Sequence, residues 1–216
     1  MKIVTNFYVS FILLFFNLNL WAYEPPTFYL SPSVHYTANI PFQAHIGPAP
    51  NGSYLAMTLP FAPINQVRQQ IDILLQKNNP TSKNLKHRGE AHITVITPDE
   101  YENELKDIIK MAEINQLAIK YRLQAAQFAV LCLGVGTAKL KAVDAFTYYL
   151  VVFSKDLLNF RSALKKLFVA RGGNPQVFNP IHYYPHITVG FTIDDLHEKN
   201  GVIKDIKSCQ GKIVYK

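Results

Sequence analysis

Ala91-His92-Ile93-Thr94-Val95 and Pro185-His186-Ile187-Thr188-Val189 share the tetrapeptide His-Ile-Thr-Val, with the two histidines 186 − 92 = 94 positions apart. Both copies sit in short apolar, β-branched runs, which predict strands. Along a strand, residues i and i+2 point to one face. Each copy therefore sets an imidazole beside a hydroxyl and turns Ile and Val the other way. One face carries chemistry and the other enters a core. Two such strands facing each other would make a pocket of two histidines and two threonines.

Upstream of the first copy, residues 54–59 read as a strand. Ile64, Val67, Ile71, Leu74 and Leu75 then form an apolar stripe at helical spacing, with Pro63 in the first turn and an end near Asn78-Asn79-Pro80. A polar loop holding Lys83, Lys86, His87 and Arg88 leads into Ala91. After the copy, Thr97-Pro98-Asp99-Glu100 has the form of a capping box, opening a helix that Tyr101, Leu105, Ile108, Ile109 and Ala112 continue.

Strand-like runs follow at residues 118–123, 127–135 and 146–153. Gly134-Val135-Gly136 is expected as a turn between strands; without a third glycine opening a helix it is not a nucleotide-binding loop. Ser154 caps another helix, with Leu157, Leu164, Leu167 and Phe168 buried and Arg171-Gly172-Gly173 ending it. Residues 174–184 form the loop into the second copy, and Ile213-Val214 suggests a last edge strand. Strands and helices mix without strict alternation, which predicts an α+β fold. The expected architecture is two pseudo-symmetric lobes of largely antiparallel sheet, helices outside, and a central cleft carrying the two His-x-Thr strands.

The 216 residues are 49% hydrophobic and 17% charged, which suits one sizeable folded domain and excludes a disordered chain. Residues 1–22 combine Lys2, an apolar stretch interrupted by Asn17 and Asn19, and the ending Leu20-Trp21-Ala22, the pattern of a secretory signal peptide. A retained anchor is the other reading, but the apolar run falls short of the roughly 20 residues that a spanning helix needs. The expectation is a secreted or periplasmic protein, monomeric, with no stable membrane insertion after cleavage. Residues 23–52, rich in Pro, Ser and Asn, read as an irregular N-terminal arm with His35 and His45 in exposed loop, and residues 53–216 as the domain. The formal charge of +7 suits a phosphate-rich ligand and ordinary solubility equally. Cys132 and Cys209 suffice for one disulfide in an oxidising compartment or for two buried thiols; without a Cys-x-x-Cys, a thiol-redox or zinc-ribbon role has no support.

Two facing imidazoles suit proton transfer on either side of a phosphorus atom. Near neutral pH one ring can be neutral and take a proton from the attacking oxygen while the other, protonated, supplies the leaving oxygen. Each Thr hydroxyl can donate to a non-bridging phosphate oxygen. No metal or other cofactor enters this scheme.

The pair resembles the signature of the 2H phosphoesterase superfamily, defined by two His-x-Thr/Ser motifs on pseudo-symmetric lobes. The resemblance extends over residues 53–192 in element order and includes Pro185 before His186 and Gly190-Phe191 after Val189. The run from His186 through Asp195, His197 and Lys204 is similar to 2H modules associated with RNA repair. The resemblance implies His92, Thr94, His186 and Thr188 as the catalytic four, with His92 the acid and His186 the base. It also implies a metal-independent phosphodiesterase for 2′,3′-cyclic phosphates or 2′-5′ linkages, with a nucleotide or RNA end as substrate. The alternative is an exported nucleotide- or RNA-end-binding module of the same fold without turnover.

Arg88, with Lys86, is a candidate for binding phosphate, and Tyr184, beside Tyr183, for stacking on a base. Each also has an ordinary reading, as a solvated loop cation or as packing. His182 and His186 are four apart, but Pro185 argues against a helical metal pair. His197 with Asp194 and Asp195 reads as a turn.

Overall fold

The computed structural model describes residues 24–45 and 52–216; the proposed signal segment, residues 1–22, lies outside the described residues. In chain order the elements are β1 (Thr27–Leu30), β2 (Gln43–His45), β3 (Tyr54–Leu59), α1 (Phe61–Asn78), β4 (Ala91–Ile96), α2 (Pro98–Glu100), α3 (Met111–Lys120), β5 (Ala129–Leu140), β6 (Val143–Phe153), α4 (Lys155–Ala170), β7 (His186–Phe191) and β8 (Cys209–Tyr215). They build a five-stranded sheet of order β1-β8-β5-β6-β7 and a three-stranded sheet of order β2-β3-β4. The β1–β8 pair is parallel and the other pairings are antiparallel. This is the expected α+β architecture, with unequal lobes.

The repeated tetrapeptide forms β4 and the first part of β7, and each is the edge strand of its sheet. Ile93 and Val95 in β4, and Ile187 and Val189 in β7, are buried. Burying each such side chain contributes roughly 1.5–3 kcal/mol, so the apolar face decides which way the histidines turn. The two strands pack beside one another. Lys86, in the loop before β4, exchanges backbone hydrogen bonds of 2.8 and 3.0 Å with Phe191 at the end of β7. Asp72 on α1 anchors the same loop by accepting from the Leu85 amide at 2.8 Å.

Several expectations need correction. The segment read as an irregular arm supplies β1 and β2 to the two sheets; strands this short, with Phe28 and Leu30 alternately buried, show no period a sequence window could detect. Residues 118–123 are the end of α3 and a following turn rather than a strand, because Met111, Ile114 and Ala118 bury at helical spacing. The Thr97 capping box forms, but its helix widens into a π turn at Tyr101–Leu105 and restarts at Met111. β8 lies between β1 and β5 instead of at an edge.

Gly134 and Gly136 lie inside β5, and the turn to β6 is made by Lys141 and Ala142, both at positive φ. A Cβ at Gly134 would stand 2.5 Å from the Tyr149 ring, and one at Gly136 2.4 Å from Val202. The glycines therefore make room for Tyr149 and Val202 to cross β5. Cys132 and Cys209 form a disulfide tying β5 to β8 across a sequence separation of 77. Closing that loop contributes about 4.5 kcal/mol in the chain-entropy account. Among the described residues no helix is long and apolar enough to cross a membrane.

Candidate active site

One pocket is lined from both lobes: His87, Arg88, Glu90 and His92 from the β4 side, and Thr188, Val189 and Asp195 from the β7 side. His92 and Thr188 thus line one cleft. Thr94 and His186 do not line this pocket, but each is two residues along the same strand face from a residue that does.

On β4 the His92 Nδ1 atom lies 3.5 Å from Glu90 Oε1. At that range the attraction is electrostatic rather than a formed hydrogen bond, and Nδ1 has no closer partner among the described residues. Glu90 is held by Gln43 Nε2, which donates to Oε2 at 3.2 Å. The neighbouring His92, with Gln43 and Arg88 adding to it, outweighs desolvation and brings the Glu90 carboxyl down to about 2. Glu90 is thus an anion at any ordinary pH, facing the first histidine.

The second histidine faces the opposite charge. His186 Nδ1 is 2.8 Å from the Tyr184 carbonyl oxygen, which can only accept, so Nδ1 carries the hydrogen. Nε2 is 3.2 Å from Lys204 Nζ, an ammonium that can only donate, so Nε2 keeps its lone pair. These partners define a neutral Nδ1–H imidazole. Burial first, and then the Lys204 charge, push the His186 pKa well below its ordinary 6.5. The Tyr149 ring sits edge-on to the imidazole, centroids 5.9 Å apart.

Asp195 joins these groups. Its Oδ1 accepts from Lys204 at 2.8 Å and its Oδ2 from the Thr188 hydroxyl at 3.1 Å. Arg88 and His197 approach Oδ2 at 3.5 and 3.8 Å. Burial pushes the Asp195 carboxyl up, but Lys204 and His197 overcome it and leave the group lowered. Burial lowers the Lys204 ammonium, which Asp195 only partly restores. A continuous chain therefore runs from the pocket through Thr188, Asp195 and Lys204 to His186.

Behind the site, Arg161 on α4 is fully buried. It donates to the Val95 carbonyl at 2.8 Å, to Pro180 and Asn179 carbonyls at 3.0 and 3.2 Å, and to both Glu100 carboxylate oxygens at 3.2 and 2.6 Å. The Tyr183 ring stacks 4.5 Å beneath its guanidinium, and the Tyr183 hydroxyl donates to the Thr94 carbonyl at 3.0 Å. The end of β4 is thereby stitched to the loop that delivers β7.

Of the sequence candidates, Arg88 lines the pocket, while Tyr184 meets the site through its backbone carbonyl and its ring packs edge-on against His182 at 5.3 Å. Glu90 was not singled out by sequence; it ends the polar loop just before β4, two residues from His92. Asp195, read as part of a turn, and Lys204 are hubs of the site. Among the described residues no group of three or more His, Cys, Asp or Glu side chains is arranged to hold a metal ion.

The model of one protein family, described as Swiss Army Knife, 2H phosphoesterase domain, matches residues 53–197. The match includes both His-x-Thr strands and Asp195 and stops short of Lys204. No curated protein and no solved structure matches the chain.

Proposed function

The chain belongs to the 2H phosphoesterase family, and from that premise we propose that it is a phosphodiesterase acting on 2′,3′-cyclic phosphates or 2′-5′ linkages of RNA ends or small nucleotides. The observation that carries this reading is the opposite charge set beside each histidine at one cleft. Glu90, an anion, stands 3.5 Å from His92 Nδ1. Lys204, a cation, faces His186 and favours a neutral ring there. His92 is therefore the general acid and His186 the general base.

For a cyclic phosphate, the water oxygen forms the new bond to phosphorus and its proton passes to His186 Nε2. The bond from phosphorus to the departing ribose oxygen breaks, and that oxygen takes the proton from His92. No metal is needed for these two proton transfers. Thr94, Thr188 and Arg88 hold the phosphate oxygens, so Thr188 turns its hydroxyl from Asp195 to the substrate. Lys204 must release Nε2, and the incoming phosphate supplies its ammonium with another partner.

We place this activity outside the cytoplasm, secreted or periplasmic: the signal-like pattern of residues 1–22 and the Cys132–Cys209 disulfide support it together. A second reading, capture of nucleotides or RNA ends without turnover, draws on one observation. Both His186 nitrogens and the Thr188 hydroxyl are engaged by groups of the protein itself. Product analysis on a panel of 2′,3′-cyclic and 2′-5′ nucleotides at saturating protein separates the two. Phosphomonoester or cleaved product is expected, and binding with no product across the panel would favour capture.

A further inference from the structure

We propose that Lys204, held in place by Asp195, is a positioning residue for His186: its ammonium donates to Nε2 and, with the Tyr184 carbonyl on the other nitrogen, fixes the ring as the neutral Nδ1–H tautomer. Lys204 lies outside the residues that the family model matches, so this role belongs to the chain's own C-terminal segment. The inference rests on the assignment of His186 as the base.

The geometry is built for one orientation. Lys204 is 3% exposed, donates to Asp195 Oδ1 at 2.8 Å, and stands 5.3 Å above the Tyr149 ring. Its backbone is clamped on both sides. Val202, two residues before it, is buried with Leu196 and Ala145, and Cys209, five residues after it, is in the disulfide. An ammonium so confined cannot wander over the rotamers available to a surface lysine. A carbonyl and an ammonium on opposite nitrogens leave an imidazole one neutral tautomer and one ring orientation. Without these partners the proton could sit on Nε2 instead, leaving no lone pair there to take the proton of the attacking water.

Both charges act on the same ring with opposite sign. The groups facing His186 are Lys204 and His197, which disfavour an imidazolium, and Asp195, which favours it; Tyr149 presents its ring from β6. Lys204→Met should therefore move the His186 titration to higher pH, because the cation is lost while burial remains. Asp195→Asn should move it to lower pH, because the anion is lost while the cation remains. A residue serving only to hold the fold would not produce shifts of opposite direction.

The test is a ring-nitrogen NMR titration of His186 in the full-length protein without ligand, comparing wild type, Lys204→Met, Lys204→Arg and Asp195→Asn. In wild type, Nδ1 should carry the proton and Nε2 should show an accepted hydrogen bond. Lys204→Arg should stay nearer wild type than Lys204→Met does. The acid limb of kcat/KM on a 2′,3′-cyclic nucleotide should follow the same directions. An Nε2–H tautomer in wild type overturns the proposal. So does an unmoved titration in Lys204→Met, or shifts of the same direction in the Met and Asn variants. If one variant does not fold, the wild-type tautomer and the other variant still decide. If no substrate turns over, the assigned reaction fails while the NMR result continues to read the role of Lys204.

Discussion

Glu90 Oε1 and His92 Nδ1 face each other at 3.5 Å on one side of the first motif strand, an anion set beside the histidine of one lobe. The other lobe sets an ammonium beside its histidine. On the proposed reaction, this inversion gives the two copies of one motif different roles. Replacing Glu90 by Gln should lower kcat/KM by less than loss of His92 itself, because the ring loses the charge beside it while keeping its place on β4. Steady-state kinetics of the variant check this, and a loss as large as that of His92→Ala would mean that Glu90 does more than assist the ring. Glu90 also links stability to pH. Its carboxyl is lowered to about 2 from 4.5, so its contribution is present above 4.5 and is lost as pH falls towards 2. Acid unfolding of Glu90→Gln should show a weaker pH dependence across that window.

Thr188 donates to Asp195, whereas Thr94, paired with Ala56 in the β3–β4 ladder, meets the Tyr183 hydroxyl through its carbonyl. If each hydroxyl turns to the phosphate in the transition state, Thr188→Val and Thr94→Val should each reduce kcat by about 10²–10³, the cost of one oxyanion donor. KM should change much less. Steady-state kinetics on both variants give the answer, and a rise in KM at unchanged kcat would mean that the threonines only bind substrate.

Arg161 is the largest fully buried side chain and holds the two motif strands together through Val95, Asn179, Pro180 and Glu100. Arg161→Met removes the ion-pair partner of Glu100 and takes a donor from the Val95, Asn179, Pro180 and His182 carbonyls. The expected loss is about 3–5 kcal/mol in urea unfolding. A variant within 1 kcal/mol of wild type, a figure set roughly at surface-pair size, would show that the guanidinium is replaceable by packing.

Cys132, Tyr149 and Val151 pack together against Cys209, and Tyr149 in turn touches His186 and Lys204. Replacing both cysteines by Ser should cost about 3–5 kcal/mol of stability. Activity below the new melting transition should also fall, because the loop carrying Lys204 loses one of its clamps. Thermal unfolding and activity measured side by side test both halves, and full activity in the double variant would detach the disulfide from the site.

Much of the site was legible in the sequence because its strands alternate. Ile93, Val95, Ile187 and Val189 point inward and the histidines and threonines outward, as a period of two requires. Arg161 carried a signal that was not used: it lies between Leu157 and Leu164 on the buried stripe of α4, where a charge must have partners. Lys204 stood out only through the resemblance of the run from His186 onward to 2H modules, with no periodicity to give it a role. It sits in a polar tail, and its meaning comes from a loop that folds back across β5 and β6. Gly134 and Gly136 were misread for the same reason, since what they accommodate, Tyr149 and Val202, is distant in sequence. Local periodicity reports strand faces; it does not report which loops meet over them.

The most direct measurement is turnover of a 2′,3′-cyclic nucleotide in the presence of EDTA by wild type, His92→Ala, His186→Ala and the double variant. Wild type should form the phosphomonoester with a bell-shaped pH dependence, and each single variant should fall by about 10²–10⁴. Wild-type turnover by the double variant, or activity abolished by EDTA and restored by zinc, would contradict the two-histidine account.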